Sequence, residues 1–447
     1  MRHALTLLFS ILALGAAGAA RAAPVLMISI DGLRPGDVIE ADARGLKVPT
    51  LRGLLKDGAY ASGVRDALPS VTYPNHTTLV TGVWPAQHGI ASNVAFDPLR
   101  KNQEGWFWYA PDIKVPTLWD AAHAAKLSTA SVGWPVTVDD PSIDFNIPEY
   151  WRARTPEDAK LQTALSTPGL PQAVAAKSGL PLSQVLDMGL TEPANDEAKG
   201  RIAQAIYALK KPAFFTLHLS SLDHYQHIYG PGSDKAHEAL ERTDAAVGAL
   251  IAAARKAEPD LVVVIVSDHG FAPVEHDINI FVPFVEAGLI TLDAQGRVAS
   301  WDAAPWVSGA SAAVILARRD DAALRAKVAD LLAKLAADPQ SGVGKVLDRA
   351  GIAAMGGNAE ADFFVDARIG YEMESKLKGP LVATPGANKG MHGYFPDHPE
   401  MRATLIIAGP GLARHGALGE VDMRDIAPTV ASIMKIGLPS AAGRPLF

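Results

Sequence analysis

VLMISID, Val25 to Asp31, is an unbroken apolar run that ends in a carboxylate. A strand with one wet face alternates apolar and polar residues. A continuous run of this length suits a strand buried on both faces, as in a parallel sheet. Similar runs recur at AFFTLHLS (Ala213 to Ser220), LVVVIVSDHG (Leu261 to Gly270), SAAVILA (Ser311 to Ala317), DFFVDA (Asp362 to Ala367) and ATLIIAG (Ala403 to Gly409). Helical patterns lie between them, for instance Asp234 to Lys256 and Asp320 to Ala337. This alternation predicts a doubly wound α/β fold, with a mostly parallel sheet and helices on both faces. Ligands of such sheets bind beyond the carboxyl ends of the strands. Three runs end there in polar clusters: Asp31-Gly32, Ser220 running on to Asp223, and Asp268-His269-Gly270.

Composition narrows the classes. At 447 residues the chain exceeds a typical domain, yet large α/β proteins reach this size as one core with insertions. The net charge of −7 gives no electrostatic case for nucleic acid. With no cysteine, a thiol nucleophile, a zinc–thiolate site and a disulfide are excluded, so any metal must be held by His, Asp and Glu. The N-terminus has basic Arg2 and His3, an apolar run and Ala20-Arg21-Ala22, the layout of a signal peptide over residues 1–22. An uncleaved anchor is the alternative, and no later segment is apolar enough to span a bilayer. Export without disulfides points to a bacterial periplasm or the medium. Residues 23–447 then form one domain. Its Pro-, Ser- and Thr-rich stretch at about 135–198 is expected to be an inserted lid.

Asp31, Asp223, His227, Asp268, His269 and His392 make six candidate metal ligands, three carboxylates and three imidazoles. Asp223 and His227 are four residues apart, one helical turn. A catalytic zinc takes three protein ligands and leaves a position open. Six ligands therefore suit two zinc ions, an arrangement that clamps attacking and leaving oxygens in phosphoryl transfer. Thr72, in PSVTYPNHTTLVTG (Pro69 to Gly82), opens a helix expected to end at Gly82. Its local explanation is an N-cap. A helix N-terminus also favours an anion. Local explanations compete elsewhere too: strand-terminal Asp residues cap turns, and His76 and His88 suit structural contacts. His224 rivals His227, and His276 and His398 suit the surface. WFWY (Trp106 to Tyr109) suits either a pocket lining or a hairpin on the core.

VLMISIDGLRP, LPSVTYPNHTTLVTGVWPAQHGIASNVAFDP, LDHYQHIYGPGS, VSDHGF and GMHGY, in this order between Val25 and Ile436, resemble the nucleotide pyrophosphatase/phosphodiesterase branch of the alkaline phosphatase superfamily. The resemblance implies an alkaline-phosphatase-like catalytic domain. It implies one zinc on Asp31, Thr72, Asp268 and His269 and another on Asp223, His227 and His392. Thr72 becomes the nucleophile, made reactive by zinc and passing through a phosphothreonine. Asn93 becomes a donor to a phosphoryl oxygen alongside the Thr72 N–H; its local alternative is an Asx-turn.

The resemblance also bears on substrate. Monoesterases of this kind carry a Lys and an Arg after the nucleophile domain, where this chain has SVGWPVTV (Ser131 to Val138) without a cation. A small phosphodiester, nucleotide or glycerophosphodiester, is therefore expected. A phosphate monoesterase is the alternative, and a non-catalytic zinc-binding module is the reading from another class. Tyr73 fits an aromatic that stacks on a nucleobase; the second stacking position is His218, a departure from that pattern.

Overall fold

The computed structural model describes residues 22–102, 105–150, 156–189 and 191–447. The expected signal peptide, except its last residue, lies outside them. No helix of the described residues is long and apolar enough to cross a membrane.

An eight-stranded sheet organises the molecule, in the order Gly416–Ala417, Ala59–Tyr60, Leu405–Ala408, Val262–Val266, Val25–Ile30, Phe214–Leu219, Thr129–Val132, Phe145–Ile147. The last five run parallel, and Leu405–Ala408 joins antiparallel to Val262–Val266. The α/β expectation holds. Val25–Ile30 is buried at every position. Leu26, Ile28 and Ile30 enter one core with helices Pro193–Lys210 and Asp234–Ala257, while Val25 and Met27 enter the other with helices Thr72–Thr81 and Ile426–Met434. Side chains alternate across a strand, so a strand apolar on both sides, here at every position but Ser29, is what two covered faces require.

Two of the apolar runs belong elsewhere. Ser311–Leu316 and Phe363–Ala367 pair antiparallel in a separate four-stranded sheet with Ala303–Ser308 and Val343–Asp348. That sheet has its own core, built on Val314, Val365 and Val328. The stretch at about 135–198, expected to be an inserted lid, is joined to the main sheet and core. Its strand Phe145–Ile147 is the edge of the main sheet, and Leu170, Val174, Val185 and Ala198 enter the main core.

Asp66 is buried with both carboxylate oxygens lacking a hydrogen-bond partner. Burial pushes its pKa up to about 8 from an ordinary 3.8. Between those values the folded state holds one more proton than the unfolded chain, so stability falls as pH rises. Asp66→Asn should flatten this dependence, gaining on wild type by up to about 1.4 kcal/mol per pH unit between pH 5 and 8. Urea unfolding of both proteins measures it; parallel profiles would mean that Asp66 is ionised in the fold.

Candidate metal centre

The parallel strands Val262–Val266, Val25–Ile30 and Phe214–Leu219 are adjacent, and the expected ligands emerge beyond their carboxyl ends. Asp31 directly follows its strand. Asp268 and His269 follow theirs after Ser267, and Asp223 and His227 stand one turn apart on helix Ser221–Tyr229. His392 arrives on a separate segment, after the short strand Gly390–Met391 that pairs with Ala272 and Pro273. Gly32 lets the chain turn away behind Asp31. Its φ is +68°, and a Cβ there would lie 2.9 Å from Gln226 Nε2, while its N–H donates to Asp268 Oδ1 at 3.2 Å.

Two ligand groups result, Asp31 with Asp268 and His269, and Asp223 with His269 and His392. His269 belongs to both, and its ring stacks on His392 with centroids 3.7 Å apart. This differs from a clean division of six ligands into two threes. His227 stands beside the second group, its Nε2 3.5 Å from Asp223 Oδ1. The Nδ1 atoms of His227, His269 and His392 face the backbone oxygens of Gly390, Gly270 and Ser70 at 3.0, 3.1 and 3.0 Å. A carbonyl only accepts, so each Nδ1 carries a proton and each Nε2 is left for a ligand.

Asp31 Oδ1, Asp223 Oδ1, Asp268 Oδ2 and His269 Nε2 are buried without a hydrogen-bond partner. His269 Nε2 comes within 3.0 Å of Asp268 Oδ2, an ion pair outside hydrogen-bond geometry. Buried, unpartnered oxygens are costly unless something cationic meets them. The donor set, carboxylate oxygens and imidazole nitrogens, therefore fits a metal such as zinc. The electrostatics agree. Burial and the facing carboxylates of Asp268 and Asp223 raise Asp31 well above the ordinary carboxylate range. Asp268 lies well below it, because the His269 imidazole outweighs the effect of burial. Burial and the nearby His269 push His392 down to about 3.

Thr72 is the first residue of helix Thr72–Thr81, and the N-cap is Val71, with no side-chain capping bond. The capping explanation of Thr72 fails, since its hydroxyl has no hydrogen-bond partner among the described residues. The helix ends, as expected, at Gly82 with φ 70°. Its start is tied to both ligand groups: the Ser70 carbonyl meets His392, and the Thr72 carbonyl meets His76 Nδ1 at 2.9 Å. That same nitrogen lies 3.6 Å from Asp268 Oδ2.

Asn93 Oδ1 accepts from the Tyr73 N–H at 2.8 Å, which leaves its Nδ2 free of partners among the described residues. An Asx-turn would have used Oδ1 on the Ala95 N–H, which donates to Gly105 instead. Tyr73 requires a correction. Its ring is fully buried beside Trp106, with centroids 5.1 Å apart, and Trp108, and no face is open to a base. Of the WFWY run, Trp108 is buried in the core around Tyr73, Trp106 and Phe107 pack against it, and Tyr109 is exposed. His88 is structural, bonding Thr78 and Ile90.

Three buried residues near the site carry no sequence motif. Glu149 accepts from the Tyr73 hydroxyl at 2.7 Å and faces His218. His218, anticipated only as a departure at an aromatic position, lies between Glu149 and Asp31. Lys199 is buried with its ammonium 3.3 Å from the Ser220 hydroxyl. A third acidic group, Asp277, Glu372 and Glu374, stands apart from the centre with Lys376 as a counter-charge to Asp277.

A mostly parallel sheet with buried carboxylates and imidazoles gathered beyond three adjacent strands defines an alkaline-phosphatase-like α/β protein. Within that class the chain belongs to the type I phosphodiesterase/nucleotide pyrophosphatase family, whose sequence model matches residues 25–395. Curated relatives include human ectonucleotide pyrophosphatase/phosphodiesterase family member 1, 27% identical over 258 residues, 55% of this chain and 23% of that protein. An uncharacterized pyrophosphatase/phosphodiesterase of Schizosaccharomyces pombe is 27% identical over 255 residues, 56% of this chain and 45% of that one. The chain thus spans from about a quarter to under half the length of these relatives. Human ectonucleotide pyrophosphatase/phosphodiesterase 5 shares the fold, with a TM-score of 0.63 and 18% identity over 93% of this chain and 95% of that one. An inactive threonine-to-alanine variant of the mouse protein, in complex with AMP, gives a TM-score of 0.64 with 16% identity over 93% of this chain and 96% of that one.

Proposed function

We propose that the chain is an exported two-zinc phosphodiesterase or nucleotide pyrophosphatase in which Thr72 is the nucleophile. The observation that carries this is a threonine hydroxyl without a hydrogen-bond partner among the described residues, at a helix start whose backbone bonds His392 on one side and His76, next to Asp268, on the other. Asp31, Asp268 and His269 would hold one ion with Thr72; Asp223, His227 and His392 would hold the other, to which His269 is also close. Zinc bound there would favour the alkoxide form of the threonine and offset charge developing in the transition state. The Thr72 oxygen attacks phosphorus, the bond to the leaving alcohol or phosphate breaks, and the leaving group departs with a proton. Water then opens the phosphothreonine and returns the hydroxyl. Asn93 Nδ2 and the Thr72 N–H, which makes no backbone hydrogen bond, would donate to the non-bridging oxygens. The bond to Tyr73 fixes the orientation of the Asn93 amide.

Asn93→Ala should lower kcat by on the order of 10²-fold with little change in KM, as for one oxyanion donor. Steady-state kinetics on a diester decide it; unchanged kcat would confine Asn93 to holding the helix start. Tyr73 and His218 are both buried, so stacking on a nucleobase is not part of this proposal. Comparing kcat/KM for bis-p-nitrophenyl phosphate and p-nitrophenyl phosphate tests the substrate class. A monoester preference would favour the phosphatase alternative.

A further inference from the structure

We propose that His218 and Glu149 are positioning residues that fix Asp31 for metal binding and lock it to the helix start carrying Thr72. The proposal rests on the metal-dependent function above. His218 Nε2 lies 3.0 Å from Asp31 Oδ2, and its Nδ1 lies 3.1 Å from Glu149 Oε2 and 3.1 Å from the Gly133 carbonyl. The other Glu149 oxygen accepts from the Tyr73 hydroxyl at 2.7 Å, and the Tyr73 N–H donates to Asn93 Oδ1 at 2.8 Å. One continuous buried chain therefore joins a metal ligand, the residue after the nucleophile and the phosphoryl-oxygen donor. Every member but Asn93 is at least nine-tenths buried.

The division of labour at Asp31 is the central point. One oxygen is taken by His218, and the other, Oδ1, has no hydrogen-bond partner among the described residues and lies 3.4 Å from His269 Nε2, a member of the same ligand group. A carboxylate held by one oxygen cannot swing about its terminal torsion, so the second oxygen stays aimed at the ion. His218 is held in turn from its far side, since Glu149 and the Gly133 carbonyl fix the plane of the ring. Packing alone does not explain the arrangement. At an interior strand position flanked by Leu217 and Leu219, an apolar side chain would fill the space without the cost of burying an imidazole and a second carboxylate. His218 and, behind it, Lys199 on helix Pro193–Lys210 hold Glu149 ionised against the effect of burial. Outer partners of metal ligands are worth roughly 10–100-fold in metal affinity.

The test is a zinc titration against a chromophoric chelator, with thermal unfolding of each protein in parallel. Wild type should bind two equivalents. Glu149→Gln and His218→Gln should weaken one equivalent by about 10–100-fold and leave the other unchanged. Leu217→Ala, one strand position away and facing the core, should lower Tm without selective loss of zinc. If His218→Gln does not fold, the isosteric Glu149→Gln carries the test. Two unchanged affinities in the variants would overturn the positioning role while leaving the two-zinc function standing. Uniform weakening that tracks Tm, as for a packing defect, would overturn it equally. A wild type that binds no zinc would defeat the underlying function, and the positioning role with it.

Discussion

Thr72→Ala should abolish turnover, by roughly 10⁴–10⁶-fold, while leaving the fold and the metal content nearly untouched. The size of the effect follows from chemistry. Alanine offers no oxygen to attack phosphorus, and what remains is the catalysis that binding and oxyanion donors supply to water. Its selectivity follows from the structure. The N-cap of the helix is Val71 and the Thr72 hydroxyl bonds nothing among the described residues, so no cap is lost. A true N-cap threonine would cost about 1 kcal/mol on this change; here stability should stay within the scatter of a neutral substitution, about 0.5 kcal/mol. Asp31, Asp268 and His269 remain as ligands. Kinetics, metal analysis and thermal unfolding on one preparation give the answer. Turnover within tenfold of wild type would remove Thr72 from the nucleophile role. A large loss of stability would instead return it to a structural one.

The parallel strands were legible because burial on both faces leaves no polar residue along Val25–Ile30, Phe214–Leu219 or Val262–Val266 except Ser29, Thr216 and His218. The placement of the candidate ligands was legible for a related reason: polar residues directly after such runs can only sit at the strand ends. Apolar runs report burial and not the partner strand. Ser311–Leu316 and Phe363–Ala367 are as buried as the others yet lie antiparallel in a second sheet.

The network around Asp31 was illegible for a different reason. Glu149 and His218 are 69 residues apart, and Glu149 lies in a stretch without a motif. Tyr73 looked available to a ligand because its neighbour Thr72 is. One residue further along the helix, its side chain turns into the aromatic cluster of Trp106, Trp108 and Tyr150. That cluster comes from distant segments, and no local pattern could announce it. The division of ligands was likewise simpler in sequence than in space, where His269 touches both groups.

That shared position makes His269→Ala the most damaging ligand substitution. His227 accompanies only the Asp223 group, so His227→Ala should loosen one metal. His269 is 3.0 Å from Asp268 and 3.4 Å from Asp31, and it groups with Asp223 and His392 as well. Losing it should weaken both metals and lower kcat/KM by more than His227→Ala does, by at least on the order of 10³-fold from wild type. A stability effect accompanies the kinetic one. In a chelator, wild-type His269 is the imidazole that offsets Asp268, and its pKa is raised to about 10 because the attraction of Asp268 outweighs burial. Without it, Asp268 keeps only the more distant His76, at 3.6 Å, while Asp31 keeps His218 and Asp223 keeps His227. Removing one partner of such a buried pair costs about 3–5 kcal/mol. His269→Ala should therefore unfold at a markedly lower temperature than wild type in chelator, and added zinc should recover less of the difference than in His227→Ala. Equal metal loss in the two variants would mean that His269 serves one group alone, and that its contact with the other is incidental to the stacking on His392.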